Sequence, residues 1–410
     1  MALIKVISLY SGTGLLDCGF INQGFEIVWG CEIEPSYARA YNYALGKYIE
    51  GLKMRKEVSK NYNIYTFPDE GVNIMDVKPE SITSFINGEF LGIIGGPPCQ
   101  DYANGGKNMG VSGDRGRLIR DYLKKVEELR PYFFVFENVD GLITRKKHKD
   151  AVKKLIHDFQ SLEYVVWYKV LNSLHYGIPQ NRHRIFIVGF KKDVINKLIS
   201  KGYELNVNNI GSYNDHFYSN NQGLCKKMVF RWPRREFNNQ DPLKFNWPTK
   251  WPFQDKSKLD LTVSEVFCKL GIPRRAEDLC VSNAFKGLAP KTPNQQEFFN
   301  PKSPKFNLIR EGDTGRKSFK RLHRFRYSPA IAYGNNEVHL HPLEPRRLTV
   351  REALRIQTAP DLFILPYDMS LTDKFKVIGN GVPVKLAELI ATEVKRTINL
   401  YSSFSSLSAI

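Results

Sequence analysis

The chain has 410 residues and a formal net charge of +18, from 60 Lys and Arg against 42 Asp and Glu. With 42% hydrophobic and 25% charged residues, it has the composition of a globular protein, which excludes disorder for most of its length. No apolar run approaches the roughly 18 residues of a membrane span, so we expect an intracellular protein of two or three domains. The positive charge favours a polyanionic partner, above all nucleic acid, although a basic bias without any partner stays open at this point.

Short runs of β-branched and aromatic residues predict six strands, which in chain order are IKVISLY (4–10), FEIVWGCEI (25–33), FLGIIGG (90–96), YFFVFENV (132–139), EYVVWYKVL (163–171) and HRIFIVGF (183–190). Helical patterns between them are LLDCGFINQG (15–24), PSYARAYNYAL (35–45), LIRDYLKKVEELR (118–130) and KDAVKKLIHDFQ (149–160). Strands that alternate with helices predict an α/β domain with a mostly parallel sheet covered on both faces. We expect this domain to span residues 1–190.

The charge surplus is concentrated in the middle of the chain. Residues 190–345 contain 27 Lys and Arg against 15 Asp and Glu, a net +12 of the total +18. Here RWPRREFNNQDPLKFNWPTKWPF (231–253) and GRKSFKRLHRFRYSP (315–329) interleave basic and aromatic residues with little helical period. We therefore predict a basic, irregular domain over residues 191–345 and a helical return over residues 346–410.

A glycine-rich turn, SLYSGTGLLDCGF (8–20), follows the first strand and opens a helix. Gly12 and Gly14 allow a tight turn that brings a ligand against the helix N-terminus. Glu32, after the second strand, can accept the ribose hydroxyls of an adenosine, but a solvated acidic pair with Glu34 is an equal alternative. A further strand is predicted to end in EGVNIMDV (70–77), where Asn73, Ile74 or Asp76 would line an adenine pocket.

Four polar side chains lie at the ends or the beginnings of apolar strands. Cys99, in GIIGGPPCQ, lies on a rigid Pro-Pro stretch just past a strand, where α/β enzymes bind ligands and where a reactive thiol is more typical than an inert one. Glu137 closes another strand, and burial there would raise its pKa and suit it to donate a proton. Arg182 and Arg184, two residues apart in QNRHR, would face the same side, although an Arg pair at a strand start is commonly solvated.

Six cysteines without CxxC spacing argue against a disulfide scaffold or a zinc site. Among eight histidines, the one HxH pair, His339 and His341, lies beside Pro342 in an expected loop. We therefore predict catalysis without a metal.

The ordered set SLYSGTG, Glu32, PPCQ, FENV and QNRHR, followed by RRLTVREALRIQTAP (346–360) and KVIGNGVPVKLAELIA (376–391), resembles the DNA cytosine-5 methyltransferases of bacterial restriction–modification systems. The resemblance covers about residues 1–190 and 345–395 and leaves the basic segment in the place of the target recognition domain. It implies a Rossmann-like catalytic domain with a small DNA-recognition domain, and a final helix that packs beside the first motif. It also implies a monomer that flips the target cytosine out of duplex DNA.

Roles for individual residues follow from the same resemblance. Cys99 matches the nucleophile that adds to C6 of cytosine, Glu137 the group that holds N3 and the exocyclic amine, and Arg184 the ligand of O2, supported by Arg182. The implied cofactor is S-adenosyl-L-methionine, and the positions that match its contacts are Tyr10, Gly12, Gly14, Glu32, Ile33, Asn73, Ile74, Pro98, Leu118, Asn380 and Val382. DNA contacts are predicted for Gln100, in a loop that closes over DNA, and for the basic residues Arg231, Arg234, Arg235, Arg324 and Arg326.

Some positions depart from the family pattern. Asp101-Tyr102-Ala103 replaces the usual Phe-Ser after PCQ, Asn73 replaces an Asp, and Gly381 stands where Ala or Ser is common. None of these changes removes a catalytic group, so an active enzyme is expected, with a companion endonuclease for the same site. Two alternatives remain: a tRNA-methylating relative, whose Cys-Phe-Thr motif is absent here, and a catalytically silent DNA-binding scaffold.

Overall fold

The structure is a computed structural model that describes residues 4–76, 80, 90–98, 114–144, 149–205, 228–237, 240–251, 261–301, 304–316, 318–331 and 339–405. Its strands are β1 Ile4–Leu9, β2 Phe25–Cys31, β3 Phe90–Gly95, β4 Phe133–Val139, β5 Tyr164–Asn172, β6 Gln180–Asn181, β7 His183–Lys191, β8 Lys320–Arg321, β9 Ser328–Pro329 and β10 His339–Leu340. Its α-helices are α1 Leu15–Asn22, α2 Pro35–Met54, α3 Asp114–Leu129, α4 Gly141–Thr144, α5 Lys149–Ser161, α6 Lys192–Ser200, α7 Val263–Leu270, α8 Val281–Ala284, α9 Val350–Ile356, α10 Leu371–Asn380 and α11 Val384–Ser405. Short 3₁₀ helices span Ile74–Asp76, Ser173–Tyr176, Pro242–Lys244, Arg274–Leu279 and Pro304–Asn307.

The central sheet has six strands in the order β2-β1-β3-β4-β7-β5. β1 pairs in parallel with β2 and β3, and β3 with β4, whereas β7 runs antiparallel to both β4 and β5. The predicted α/β class and its mostly parallel sheet are therefore confirmed. Because β7 is antiparallel, its first residues lie beside the last residues of β4, and Arg184 is opposite Val139.

Alternate side chains of the strands enter two hydrophobic cores, one on each face of the sheet. In β4, Phe133 and Val135 belong to the core that also contains residues of α1, α2 and α11. Phe134 and Phe136 belong to the opposite core, with residues of α3 and α5. The strand is thus buried on both faces, which explains its continuous apolar sequence.

The prediction of a strand that ends near residue 77 is wrong. Residues 61–73 form no strand, and Ile74–Asp76 is a 3₁₀ turn. The Asn73 side-chain oxygen accepts a hydrogen bond from the Met75 backbone, and Val72 N–H donates to the Glu32 carbonyl. These local bonds satisfy the backbone groups that a strand would have used in a ladder.

The unit built on the central six-stranded sheet (the sheet unit) extends past the predicted boundary at residue 190. Helix α6 starts at Lys192 and buries Val194, Ile195 and Leu198 in the first core, where it contacts α11 and β7. The last helix also returns to the first motif, as expected, because α11 packs along α1 and Gln23 Nε2 donates to Glu388 Oε1 at 3.1 Å.

The basic region has its own small core. Trp247, Phe267, Leu279 and Phe325 pack together there with other apolar residues, joined from the sheet unit by Leu174. Its described elements are short helices, 3₁₀ turns and two-residue strands, which agrees with the irregular pattern of the sequence.

Candidate active site

The carboxyl ends of β1, β2, β3 and β4 meet at one edge of the sheet, together with the start of antiparallel β7. Each of these ends leads directly into a segment that the sequence predicted to be functional. Parallel α/β sheets bind their ligands at this edge. The candidate site is therefore assembled from five chain segments by the sheet topology.

The glycine turn after β1 has three residues with positive φ: Tyr10 at 56°, Gly12 at 56° and Gly14 at 86°. Such angles are uncommon for a residue with a side chain, and Tyr10 is held by its hydroxyl, which donates to the Leu118 carbonyl of α3 at 2.9 Å. A Cβ on Gly14 would lie only 2.6 Å from Leu45 Cδ1. Glycine is thus required at this position both by its angle and by the close approach of α2.

Glu32 links the glycine turn to the end of β2. Its Oε2 accepts the Gly12 N–H at 2.9 Å, and its Oε1 accepts the Glu34 N–H at 3.0 Å. Burial raises the pKa of Glu32, and these two backbone donors oppose that rise. Each carboxylate oxygen still has a lone pair for a ligand hydroxyl, so the geometry favours a ligand-binding role over a solvated acidic pair.

The neighbouring residues divide between surface and core. Ile33 is 63% exposed, an unusual state for a large apolar side chain, while Ile74 is buried in the core of α3 and α5. The Asn73 oxygen accepts from the Met75 backbone, so a ligand could still meet its amide nitrogen or the second lone pair of that oxygen. Of the three residues predicted to contact adenine, Ile33 and Asn73 have accessible side chains, whereas the side chain of Ile74 is buried.

Asp17 is a buried carboxylate that the sequence analysis did not select. It lies in the first turn of α1, where its two oxygens accept from Ser8 Oγ and Tyr41 Oη, both at 2.8 Å. Burial raises its pKa to about 6 in spite of these hydrogen bonds. A carboxylate at the third residue of the helix, in an otherwise apolar run, was the available signal for it.

The segment after β3 is fixed by β4. Asn138 Nδ2 donates to the Pro97 carbonyl at 3.0 Å, and the Asn138 side-chain oxygen accepts the Val139 N–H at 2.8 Å. Asn138 is buried, whereas Pro98 is exposed. Cys99 and Gln100 lie outside the described residues. Asn138 thus anchors the chain immediately before the predicted nucleophile, a role that sequence reasoning missed.

Glu137 and Arg184 form a buried ion pair at this edge. Arg184 Nε lies 3.0 Å from Glu137 Oε1, and the two side chains are only 13% and 9% exposed. Among the described residues no hydrogen bond reaches Oε1, because the approach of Arg184 is misaligned for one. Burial raises the pKa of Glu137, and the charges of Arg184 and Arg182 oppose the rise. The pKa of this carboxyl group is therefore higher than that of an ordinary glutamate, and its Oε1 has no hydrogen-bonded partner among the described residues.

Arg182 is buried, which excludes the alternative of a solvated arginine pair for this residue. It is 2% exposed, and its Nη2 donates to the carbonyls of Gly379 at 2.6 Å and Gly381 at 2.9 Å, while its Nη1 donates to the Ile331 carbonyl. These bonds lie within the protein interior, so Arg182 supports the site from behind. Beside it, Asn380 is exposed and Val382 is buried at the turn that follows α10.

A family model for C-5 cytosine-specific DNA methylases matches residues 4–396. The chain belongs to this family. Among curated relatives, it is 34% identical to the type II methyltransferase M.NmeDI of Neisseria meningitidis serogroup C, over 95% of this chain and 83% of the relative. It is 29% identical to the type II methyltransferase M.FnuDI of Fusobacterium nucleatum, over 96% of this chain and 95% of the relative.

Solved structures agree with this fold. Spodoptera frugiperda DNMT2, in a triple-mutant form, superimposes with a TM-score of 0.55 and 15% identity over 96% of this chain and 99% of that one. S. pombe Dnmt2 methyltransferase gives a TM-score of 0.53 and 13% identity over 96% and 98% of the two chains. The methylase is thus a C-5 cytosine methyltransferase of restriction–modification type, in a family that generally uses S-adenosylmethionine.

Two of the arginines predicted to contact DNA are paired with carboxylates of the protein. Arg324 is 7% exposed, and its Nε and Nη2 donate to the two carboxylate oxygens of Glu311 at 3.0 and 3.2 Å. Arg231 Nε lies 2.9 Å from Glu393 Oε2 on α11. The Arg324 guanidinium is therefore bound within the protein interior, whereas the Arg231 side chain is 32% exposed and its predicted DNA contact stays a prediction.

The remaining three arginines differ in exposure. Arg234 is exposed, and Arg235 is partly exposed. Arg326 is also partly exposed and packs its guanidinium 5.1 Å from the centre of the Tyr327 ring. These three remain candidates for DNA contact.

Two general features of the methylase can be stated for the described part of the chain. No group of three or more His, Cys, Asp or Glu side chains is arranged to hold a metal ion there. No described helix is both long and apolar enough to cross a membrane.

Proposed function

We propose that the methylase transfers a methyl group from S-adenosyl-L-methionine to C5 of a cytosine flipped out of a specific duplex DNA sequence. The observation that carries this proposal is the buried Glu137–Arg184 pair, at 3.0 Å, on the sheet edge to which Pro97 and Pro98 lead. The next residue, Cys99, is the proposed nucleophile. The names of the type II relatives further support a protective role in the bacterial cytoplasm, opposite a cognate restriction endonuclease.

The residues around the glycine turn fit S-adenosylmethionine. Glu32 offers carboxylate oxygens already oriented by two backbone N–H groups, and the exposed Ile33 offers an apolar surface for the flat face of an adenine. Gly12 and Gly14 leave the helix N-terminus open to a ligand that approaches the backbone. Tyr10, Asn73, the backbone of Ile74, Pro98, Leu118, Asn380 and Val382 complete the proposed contacts. When bound, this cofactor supplies an electrophilic methyl group.

The chain's own groups would act on the cytosine in sequence. The Cys99 thiolate adds to C6, which places carbanion character on C5 and makes that carbon nucleophilic. Protonated Glu137 donates to N3 and accepts from the exocyclic amine with its other oxygen, so negative charge does not build up on the ring. Arg184 donates to O2 of the base. Once C5 carries the methyl group, with S-adenosylhomocysteine as the leaving group, a water molecule takes the C5 proton. The electron pair of the C5–H bond expels the Cys99 thiolate from C6, and N3 returns its proton to Glu137.

The electrostatic state of Glu137 supports this assignment. A group that must donate to N3 near neutral pH needs a pKa above that of an ordinary carboxylic acid, and burial provides it. Arg184 opposes the rise but also remains close enough to orient the carboxyl group. Glu137 would therefore supply the proton for N3, and Arg184 would orient the carboxyl group that donates it.

DNA is proposed to bind against the basic region, with Gln100, Arg234, Arg235 and Arg326 as contacts to bases or phosphates. The net +12 of residues 190–345 supports this placement, because duplex DNA is bound chiefly through its phosphates. Flipping of the base is required by the reaction, since neither face of a stacked cytosine ring is open to attack by a thiolate.

Bisulfite mapping tests the function directly. The protein is incubated with S-adenosylmethionine and duplex DNA of mixed sequence, which is then treated with bisulfite and sequenced. We expect one sequence context to contain protected cytosines. If no context is protected, DNA methylation is not the activity of this protein.

The variant Cys99→Ala tests the nucleophile in the same assay. Because alanine cannot form the C6 adduct, protection should fall to background while DNA binding, measured by gel shift, persists. Turnover by this variant would contradict the role of Cys99.

A further inference from the structure

A buried polar network joins three parts of the methylase that are far apart in the sequence. Its side chains are Gln180, Arg182 and Gln357, which are 0%, 2% and 0% exposed. Gln180 and Arg182 precede the strand that carries Arg184, and Gln357 follows α9. Buried polar groups of this kind must find partners inside the protein, and their partners show what the network connects.

Gln180 connects the basic region to α9. Its Oε1 accepts the Ile331 N–H at 2.9 Å, and its Nε2 donates to Gln357 Oε1 at 3.0 Å and to the Ile356 carbonyl at 3.3 Å. Strand β6, which contains Gln180, also pairs in parallel with β9 of the basic region. The position of Ile331 is thus fixed relative to the start of β7.

Gln357 binds the turn at the C-terminal end of α10, residues 378–381. Its Nε2 donates to the carbonyls of Ile378 and Gly381, the second at 3.1 Å. Arg182 binds the same turn through Gly379 and Gly381 and also donates to the Ile331 carbonyl at 3.2 Å. Both backbone groups of Ile331 are therefore held by the side chains that hold the turn.

The turn in question lies against the cofactor end of the site. A Cβ on Gly381 would be 2.4 Å from Leu15 Cδ1, so the turn touches the first residue of α1 directly. Asn380 is exposed between the two glycines. A shift of this turn must consequently move the surface next to the glycine turn.

We propose that Gln180 and Gln357, together with Arg182, are positioning residues that couple DNA binding by the basic region to cofactor binding beside α1. The proposal rests on the proposed function and adds a thermodynamic link between its two ligands. DNA that fixes the segment containing Arg326 and Ile331 would also fix the Gly379–Gly381 turn, so each ligand raises the affinity for the other.

The bonding of the two amides gives this link its stiffness. Each amide oxygen accepts one hydrogen bond and each amide nitrogen donates two, so neither side chain can rotate without loss of several bonds. In a buried site such bonds reinforce one another and are costly to leave unmade. The hydrogen bonds therefore favour one arrangement of the two side chains, so that Ile331 and the Gly379–Gly381 turn move together.

The test is the affinity for S-adenosylhomocysteine, measured by calorimetry with and without a duplex that contains the mapped methylation site. The variants are Gln180→Glu and Gln357→Glu, in which an oxygen replaces the nitrogen that faces Gln357 Oε1 or the Gly381 carbonyl. The control is Asn294→Asp, the same exchange at a buried amide that bonds both backbone groups of Leu365 and the carboxylate of Glu297; within the described part of the chain, none of its hydrogen bonds reaches residues 378–381.

For the unaltered protein we expect DNA to raise the affinity for S-adenosylhomocysteine about fivefold or more. The coupling should vanish in both Glu variants and survive in Asn294→Asp, even if all three melt at lower temperature. It should return in Gln357→Glu as the pH is lowered, because a protonated carboxyl group regains one donor. If Gln357→Glu does not fold, Gln180→Asn, which keeps the amide but shortens the side chain, should show the same loss.

Coupling in the Glu variants equal to that of the unaltered protein would overturn the inference, as would equal affinities with and without DNA in the unaltered protein. Either result would leave the proposed function intact, provided that the unaltered protein methylates DNA in the bisulfite assay. Absence of methylation there would instead overturn the function itself.

Discussion

The sheet unit and the basic region satisfy their backbone hydrogen-bonding groups in different ways. In the sheet, strand ladders pair the carbonyls, and the buried carboxyl groups contact other side chains: Asp17 accepts from Ser8 and Tyr41, and Glu137 lies against Arg184. In the basic region, whose described elements are short, buried arginine side chains donate hydrogen bonds to the backbone carbonyls. Arg321, fully buried, donates to the carbonyls of Ile309, Phe306, His341 and Glu344.

This difference changes how the positive charge is interpreted. Arg321 and Arg324 are basic residues of the +12 segment, but both are buried and bonded inside the protein. Arg231 is likewise paired with Glu393. Net charge therefore indicates the class of partner, but it does not distinguish the arginines that bind within the protein from those available to a partner.

The largest effect is expected at Arg321. Arg321→Met removes the donors to four backbone carbonyls, which an irregular loop cannot pair otherwise, so unfolding should become easier by on the order of 4 kcal/mol. Chemical denaturation measures this. The control Arg316→Met removes an exposed partner of Asp313 and should change stability by less than about 0.5 kcal/mol. Equal effects in the two variants would remove the distinction between structural and surface arginines.

In the sheet unit, Glu137→Gln should impair the reaction and leave the fold intact. The amide keeps the size of the side chain but cannot supply the proton, so we expect kcat to fall about 10²–10³-fold with DNA affinity unchanged. Single-turnover methyl transfer is the measurement. The unaltered enzyme should also slow as the pH rises through the raised pKa of Glu137, since the protonated fraction falls, whereas the residual rate of the variant should lack this decline.

Asp17→Asn should stabilise the sheet unit at neutral pH. The pKa of Asp17 is about 6 in the folded protein against an ordinary value of 3.8, so folding binds a proton between these limits and stability falls as the pH rises through them. The loss amounts to about 3 kcal/mol above pH 6. Asparagine can still bond Ser8 and Tyr41, so the variant should melt higher at neutral pH and match the unaltered protein below about pH 4. Parallel melting temperatures across this range would disprove ionisation of Asp17.

The smallest effect concerns the salt dependence of DNA binding. Affinity for DNA should fall steeply with salt as counterions are released, whereas cofactor affinity should hardly change. Arg234→Ala should reduce the slope of log K against log salt by about 1, since the exposed Arg234 is a candidate phosphate contact. Arg231→Ala should leave the slope unchanged because its partner is Glu393. A reduced slope for Arg231→Ala would return that residue to the DNA interface.

The sequence by itself determined the class of the fold, six strands and four helices of the sheet unit, and the motifs at the strand ends. These features are encoded locally, in apolar periods and glycine turns, so they need no knowledge of distant contacts. The strand predicted to end at residue 77 failed because Asn73 and Val72 found local and loop partners that compete with a ladder.

Tertiary structure alone decided which polar residues act together. The antiparallel course of β7 brought Arg184 to Glu137, and Asn138 was aimed at Pro97, neither of which a linear pattern reveals. Arg182 and Arg324 look like surface cations in the sequence, but their partners come from segments far along the chain or from another loop. Arg182 and Arg324 bind acceptors inside the protein, whereas Arg184 is paired with Glu137 at the carboxyl edge of the sheet, and these contacts depend on tertiary structure that sequence spacing does not specify.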